Sequence, residues 1–281
     1  CPPVRKVSCG GLTGKIMNIP NVSIKQLLEA GVHLGHKTLR WNPRMKQFIY
    51  GEKNSIHIID LTQTVVLIKN AMKEIHKCIS SGGKLLIVST KKQAAETILK
   101  LAKDTEQYYV NYRWLGGMLT NWQTIQNSIK RLKKLEKDLS KEDIGFTKKE
   151  ILKLEKEKEK LNRSLGGISN MNKIPDMIFV IDTNVESIAI KEAIKLKIPI
   201  VAVLDSNSDP TGINHPIPGN DDARRSIDLY CELLKATIID AKKNIVANKI
   251  NSEMENKKSI AAIKEQSSKK NDNSSKKNLN K

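Results

Sequence analysis

Short apolar runs alternate with helical patterns along most of the chain. Continuous apolar runs at 84–89, 176–182 and 198–205 predict strands that are buried on both faces of a parallel sheet. Between them, apolar residues recur every three or four positions, which predicts helices. An earlier helix is predicted to begin after the capping residue Ser23 and to end at Gly31. This alternation indicates an α/β protein with a doubly wound parallel sheet.

Two Leu-Gly-Gly sequences, at 115–117 and 165–167, enclose a segment with a different pattern. Apolar residues spaced by three and four on each side of a polar tip at 140–146 predict two long helices. We expect them to form an antiparallel coiled-coil hairpin over about 121–166. Its surface is mainly Lys, Glu and Arg, which is consistent either with a solvated face or with an arm that contacts RNA or protein.

Three further segments lack such clear patterns. Residues 31–46 are basic and have no periodicity, so they are predicted to form a loop. Residues 56–60 predict a strand, and Thr62 or Thr64 is predicted to cap the helix after it. Residues 216–222 are predicted to lead into a final helix, with Asn220 or Asp221 as its cap.

The two ends of the chain differ from its body. Residues 1–16 contain Arg5, Lys6 and Lys15 but no acid, and they form an unplaced N-terminal extension before a plausible start at Met17. Residues 249–281 are rich in Lys, Ser and Asn and poor in apolar residues, so they are predicted to be a disordered tail. The α/β domain with its inserted hairpin is therefore assigned to residues 17–248.

The charge balance limits the classes of partner. Among 281 residues, 49 are Lys or Arg and 30 are Asp or Glu, a net charge of +19. A surplus of this size favours a polyanion, either a nucleic acid or an anionic membrane surface. No apolar run of about 18 residues is present, which argues against a membrane span.

The cysteines argue against two kinds of stabilisation. The chain has four of them, and none is spaced as a Cys-x-x-Cys pair. A disulfide framework and a zinc ribbon are therefore not expected, and this cysteine usage fits a reducing compartment.

Basic and aromatic residues in three regions are candidate RNA contacts. The first region surrounds Trp41, the second is the turn before the hairpin together with the hairpin itself, and the third is the start of the final helix. Trp114 could instead anchor the hairpin to the core, and the two arginines of the final helix could be solvated. The candidates are Lys37, Arg40, Trp41, Arg44, Lys46, Arg113, Trp114, Asn121, Lys130, Arg131, Lys133, Lys134, Arg224 and Arg225.

An enzyme or a small-molecule or metal-binding protein is the alternative, because ligands of doubly wound sheets bind at the carboxyl ends of the strands. Asp182 and Asp205 each end a predicted strand, and with His33 or His36 they could hold a divalent cation, zinc or magnesium. Both carboxylates could instead cap the turns that follow. The nucleotide-binding glycine motifs and the Gly-x-Ser-x-Gly elbow are absent, so we assign no catalytic residue and expect no required cofactor.

Four motifs resemble a known family. They are GVHLGH at 31–36, RWNPRM at 40–45, RWLGGMLTNW at 113–122 and IPGNDDA at 217–223. In this order, within a likeness from about Val22 to Ala241, they resemble the bacterial-type small-subunit ribosomal protein S-two family.

The resemblance implies a flavodoxin-like three-layer α/β/α fold with an inserted coiled-coil hairpin. It also implies a non-enzymatic role in a ribosome, in the cytoplasm of a bacterium or in an organelle. Its implied partners are small-subunit ribosomal RNA between head and body and other small-subunit proteins, including the mRNA-binding protein S-one, with no membrane and no homo-oligomer. The resemblance further associates a metal with positions that correspond to His36, Asp182 and Asp205.

Overall fold

The chain forms an α/β structure with two sheets. The computed structural model describes residues 20–140 and 147–245. The helices are α1 Ile24–Glu29, α2 Leu61–Ser80, α3 Lys92–Thr105, α4 Trp122–Leu139, α5 Lys148–Leu165, α6 Ser187–Lys195 and α7 over 224–245. The strands are β1 Leu34–Lys37, β2 Ile49–Lys53, β3 Ile56–Ile59, β4 Leu85–Val88, β5 Tyr108–Val110, β6 Met177–Ile181, β7 Ile200–Leu204 and β8 His215–Pro218.

The larger sheet is parallel and has the strand order β5-β4-β6-β7-β8. This order matches the flavodoxin-like arrangement, in which the chain reverses direction across the sheet between its first and third strands, here β4 and β6. Every residue of β4, β6 and β7 is buried, as their continuous apolar sequences predict. The predicted α/β class is therefore confirmed.

Two apolar layers cover the faces of this sheet, because successive strand residues point to opposite sides. Leu85 and Ile87 of β4 pack in one layer, which also contains apolar residues of α1, α2, α3 and α7. Leu86 and Val88 pack in the other layer, with residues of α6 and of the hairpin helices close to the sheet.

The second sheet is antiparallel and has the order β1-β3-β2. The predicted strand at 56–60 belongs to it rather than to the parallel sheet. The predicted loop at 31–46 contains β1 and the 3₁₀ helix Thr38–Arg40, and a second 3₁₀ helix covers Pro43–Phe48. Such short, polar elements leave no periodic signal. β8 was also not predicted, because two prolines interrupt its pattern.

The inserted segment forms two helices that contact each other, α4 and α5. Arg131 of α4 and Glu157 of α5 form an ion pair of 2.5 Å between the helices. Thr147 caps α5 in a reciprocal capping box with Glu150, as predicted for Thr147. α4 buries a stripe of four apolar residues, but α5 buries only Leu165, so coiled-coil packing along the hairpin stays a prediction.

Some predictions concern residues outside the described ranges. These are the N-terminal extension at 1–16, the hairpin tip at 141–146 and the tail at 249–281. Within the described ranges, no helix has both the length and the apolar composition that crossing a membrane requires. Cys78 and Cys231 are both free thiols.

Candidate functional site

Residues 31–46, which we call the first loop, lie against the carboxyl end of β7. The backbone N–H of His36 donates to Ser206 Oγ over 2.8 Å, and that of Asn42 donates to the Ser206 carbonyl over 2.9 Å. Gly35 permits this approach, because a Cβ atom there would lie 2.9 Å from Ser206 Oγ and 3.1 Å from Asp205 Oδ1. The loop is therefore fixed to the edge of the parallel sheet at which ligands of such sheets bind.

The predicted RNA contacts of the first loop are at the surface. Lys37, Arg40, Trp41, Arg44 and Lys46 are all exposed, although the Trp41 ring also packs 5.4 Å from the His57 ring. Arg44 forms an ion pair of 2.7 Å with Asp209, whereas Lys37 and Arg40 line a cleft of about 530 Å³. This surface combines cations with an accessible aromatic ring.

The turn before the hairpin is organised around one buried carboxylate, that of Glu192 on α6. Glu192 Oε1 accepts the indole N–H of Trp114 over 3.1 Å and the backbone N–H of Gly117 over 2.8 Å. Glu192 Oε2 accepts the backbone N–H groups of Leu119 and Thr120 and the Thr120 hydroxyl, over 3.0 to 3.1 Å. Five donors of this tightly turned segment thus share one charged acceptor.

Burial alone would raise the pKa of the Glu192 carboxyl. The hydrogen bonds from Thr120, Trp114, Leu119 and Gly117 outweigh that effect and hold the pKa below its ordinary value. Sequence reasoning missed Glu192. The available signal was an acidic residue within the otherwise apolar face of α6.

The structure favours the core-anchor interpretation of Trp114. Its side chain is 7% exposed and packs in the apolar layer that contains Met118 and Ile125. The predicted RNA contact through Trp114 stays untested, but the ring packs in the core and its N–H donates to Glu192. Its neighbour Arg113 and the more distant Asn121 are exposed.

The remaining predicted RNA contacts lie on exposed helix surfaces. Lys130, Arg131, Lys133 and Lys134 of α4 are exposed, and Arg131 is the one that pairs with Glu157. Arg224 and Arg225 are exposed at the start of α7, where Arg224 lies 3.3 Å from Glu96. The ion pairs of Arg131 with Glu157 and of Arg224 with Glu96 are accessible to solvent and contribute little to stability. Both arginines are therefore available to a partner.

A cluster of carboxylates surrounds Lys91 at the strand ends. The Lys91 ammonium lies 2.8 Å from Asp182, 2.8 Å from Asp221 and 2.6 Å from Asp222. Burial alone would lower the pKa of Lys91, but the charge of Asp221 and the hydrogen bonds that the ammonium donates to all three carboxylates raise it. Lys91 thus stays protonated, and its positive charge compensates part of the negative charge of the surrounding carboxylates.

His36 lies on the outer side of the same cluster. Its Nδ1 atom is 2.8 Å from Asp205 Oδ2, and its Nε2 atom is 3.4 Å from Asp222 Oδ2. The hydrogen bond that the His36 ring donates to Asp205, assisted by the charges of the surrounding carboxylates, raises the pKa of His36 despite burial. Burial and the charges of Asp182 and Asp205 raise the pKa of Asp221 to about 7, against the opposing effect of Lys91.

The cation ligand set suggested by the sequence needs a correction. One ligand atom from each of His36, Asp205, Asp221 and Asp222 lies within 4.8 Å of the others, but Asp182 is not in this group. Asp182 Oδ1 instead accepts the N–H groups of Asn184 and Val185, which is the predicted alternative of capping the next turn. Sequence reasoning did not place Asp221 and Asp222 in this group because they were assigned to a helix cap.

The fold and these sites fit one family. A family model described as Ribosomal protein S2 matches residues 27–241. The chain belongs to the ribosomal protein S2 family. The match includes the first loop, the Glu192-centred turn, the hairpin and the strand-end cluster.

Curated relatives agree with this family membership. Small ribosomal subunit protein uS2 of Sinorhizobium medicae is 58% identical over 224 residues, which are 80% of this chain and 88% of the relative. The proteins of the same name from Bartonella henselae and Brucella suis are 57% and 58% identical, over 80% of this chain and 87% and 88% of theirs. The S2 family is structural rather than catalytic, which confirms the expectation that the chain is not an enzyme.

Proposed function

We propose that this S2 family member is a structural component of the small ribosomal subunit, binds small-subunit ribosomal RNA and so supports translation. Three relatives that carry the small-subunit name support the assignment. The observation that supports RNA binding best is the distribution of charge. The chain has a net charge of +19, and the cations of the first loop and of α4 are exposed to solvent.

RNA binding through phosphates fits these surfaces. Lys37 and Arg40 line an open cleft, and the α4 cations lie along the exposed surface of that helix. Side chains of this kind neutralise phosphates without reading bases, which suits a protein that recognises the shape of folded RNA. Trp41 is accessible for stacking on an unpaired base.

The finer assignments are further parts of the proposal. From the family resemblance, we place the protein between the head and body of the small subunit, where it helps to dock protein S-one. The bacterial source of the relatives favours a ribosome of the bacterial cytoplasm, with an organellar ribosome as the alternative.

A reconstitution experiment tests the proposal. Small subunits depleted of this protein are mixed with the purified chain and sedimented at increasing salt concentration. The proposed function requires cosedimentation that persists at moderate salt, whereas binding lost at low salt would indicate a non-specific polycation. Charge reversal by Arg40→Glu with Arg44→Glu should weaken incorporation, and unchanged incorporation would exclude the first loop as an RNA contact.

A matched control variant distinguishes the effect of the charge reversal itself from the effect of its position. Lys69→Glu with Lys73→Glu reverses the same number of charges on α2, whose buried residues pack mainly in the Leu85 layer, whereas Met45 near Arg44 packs in the other layer. This control variant should be incorporated as well as the wild type.

A divalent cation at the strand ends is a second, independent proposal. Four ligand atoms from His36, Asp205, Asp221 and Asp222 lie close enough to share one ion, and the combination of imidazole with carboxylates suits zinc. Magnesium is the other candidate, bound through the carboxylates. Because Lys91 already pairs with Asp221 and Asp222, the ion would be held mainly by His36 and Asp205.

A further inference from the structure

The foot of the hairpin carries a basic groove on the α5 side, apart from the α4 cations. It has a volume of about 420 Å³ and lies between α5 and the segment after β5. We call it the foot groove. The residues that line it are Tyr112, Arg113, Leu115, Lys156, Glu159, Lys160, Arg163 and Ser164.

An aromatic ring and a guanidinium stack inside the foot groove. Arg163 Cζ lies 5.2 Å from the centroid of the Tyr112 ring, within the range of a cation–π contact. Tyr112 is nevertheless 54% exposed, which is high for a ring that already has a packing partner. The pair therefore forms a platform that a further flat group can join.

The position of this platform is set by the backbone. Gly167 follows α5 and lies against the Tyr109 carbonyl and ring so closely that no side chain would fit between them. This contact holds the end of α5, which carries Arg163, beside the segment after β5, which carries Tyr112. The platform is thus part of the folded body rather than of a loose arm.

The charges of the foot groove favour an anion. Arg113, Lys156, Lys160 and Arg163 are exposed cations, and Glu159, the one acidic side chain in the lining, pairs with Arg163 over 2.8 Å. Lys156, Lys160 and Arg163 are spaced by four and three residues, so they lie along one face of α5. A row of cations beside a stacking platform is the arrangement with which proteins hold a single nucleic-acid strand.

We propose that the foot groove binds unpaired nucleotides of ribosomal RNA, with a base on the Tyr112–Arg163 platform and phosphates along Lys156 and Lys160. The proposal rests on the proposed ribosomal function. It adds a second surface that contacts RNA and specifies that the RNA bound there is unpaired. A paired helix would present phosphates to the lysines, but its bases would be stacked on each other and unavailable to Tyr112.

Rebinding to depleted small subunits tests this proposal with the full chain. Tyr112→Ala removes the platform, Tyr112→Phe keeps the ring, and Lys73→Ala is the control on the opposite layer. Loss of base stacking should weaken rebinding of Tyr112→Ala about fivefold or more. Tyr112→Phe should rebind within about twofold of the wild type, because the phenyl ring still stacks. Thermal unfolding of each variant checks that the fold is intact.

Chemical probing of the RNA in the rebound particles identifies the partner. We expect the wild type to protect unpaired nucleotides that become reactive again with Tyr112→Ala. Weaker rebinding without any change in RNA reactivity would mean that the groove contacts a protein, and protection confined to paired RNA would exclude unpaired nucleotides. Both results, like full rebinding of Tyr112→Ala, would overturn the proposal. Failure of the wild type to rebind would instead overturn the ribosomal function itself.

Discussion

The indole N–H of Trp114 donates to the carboxylate of Glu192 over 3.1 Å, although 78 residues separate the two in the chain. The carboxylate also accepts the backbone N–H groups of Gly117, Leu119 and Thr120. The turn from which α4 begins is thereby attached to α6 and to the parallel sheet beneath it. The direction of the hairpin therefore depends on a residue whose carboxylate binds the turn before α4.

Glu192→Gln should lower the free energy of unfolding by about 2 to 4 kcal/mol, because an amide replaces the acceptor of a converging set of buried and partly buried donors. Its NH₂ group would face N–H groups that have no other acceptor. Urea unfolding measures the loss. Glu232→Gln, at an exposed position of α7, should change stability by less than about 0.5 kcal/mol. Equal stability of the two variants would show that the turn does not need the charge.

The same carboxylate should make stability depend on pH. Since its pKa is lower in the folded chain than in the unfolded chain, Glu192 stabilises the fold fully above its unfolded value of 4.5. That contribution is lost as the pH falls through the lower, folded pKa. The wild type and Glu192→Gln should therefore differ most at neutral pH and converge in acid. A difference in urea midpoint that stays constant down to pH 3 would contradict this assignment.

Removing the ammonium of Lys91 should be among the most destabilising single changes. Lys91→Met leaves the buried carboxylates of Asp182 and Asp221 without their cation, and breaking a buried pair in this way costs about 3 to 5 kcal/mol. Chemical denaturation of Lys92→Met provides the comparison, because the neighbouring Lys92 is exposed. If both variants unfold at the same denaturant concentration, Lys91 does not balance the cluster.

Two glycines that flank the hairpin should respond differently to the same substitution. Gly167→Ala would push a methyl group into the Tyr109 carbonyl and force the end of α5 away from β5. We expect a loss of about 1 to 3 kcal/mol, as for other overpacked sites. A Cβ atom at Gly116 meets nothing within 4 Å, so Gly116→Ala should be nearly neutral. Thermal unfolding of both variants would reveal the contrast, and its absence would mean that the foot of the hairpin is loosely packed.

Zinc should stabilise the wild type if the strand-end cluster binds it. At a free concentration of about 100 times the dissociation constant, one site adds about 2.7 kcal/mol, or several degrees in Tm. His36→Gln should remove most of this response. His215→Gln should keep the response to zinc, because His215 lies at the amino end of β8, whereas the cluster lies at the carboxyl ends of the strands. An undiminished response of His36→Gln would place the ion elsewhere, and a response to magnesium alone would identify the second candidate.

Local sequence signals predicted the parts of the fold that depend on local physics. Ser23 caps α1 in a reciprocal box with Gln26, and Thr147 caps α5 as predicted. The strand at 84–89 could be identified because burial on both faces requires a continuous apolar run. The cap of α2 was assigned two to four residues too late, since Asp60 holds that position rather than Thr62 or Thr64.

The candidate site was less predictable because its partners are distant in sequence. The pairing of His36 with Asp205 spans 169 residues, and no local pattern specifies it. Glu192 acquires its role because residues 114–120 fold against α6. Lys91 acquires its role because Asp221 and Asp222, which follow β8, lie beside it. Asp182 was placed correctly at a strand end, but its side chain caps the next turn and faces Lys91 rather than His36.

The two outer strands of the parallel sheet have one further consequence. The β5 edge lies against the 3₁₀ turn Gly166–Ile168. At the other edge, Gly219 donates its N–H to Leu204 of β7, so the alternate positions Pro216 and Pro218 face outward, where proline has no N–H to donate. Neither edge offers a second copy of the chain a regular row of hydrogen-bond donors. The parallel sheet is thus protected against edge-to-edge aggregation even when no partner covers it.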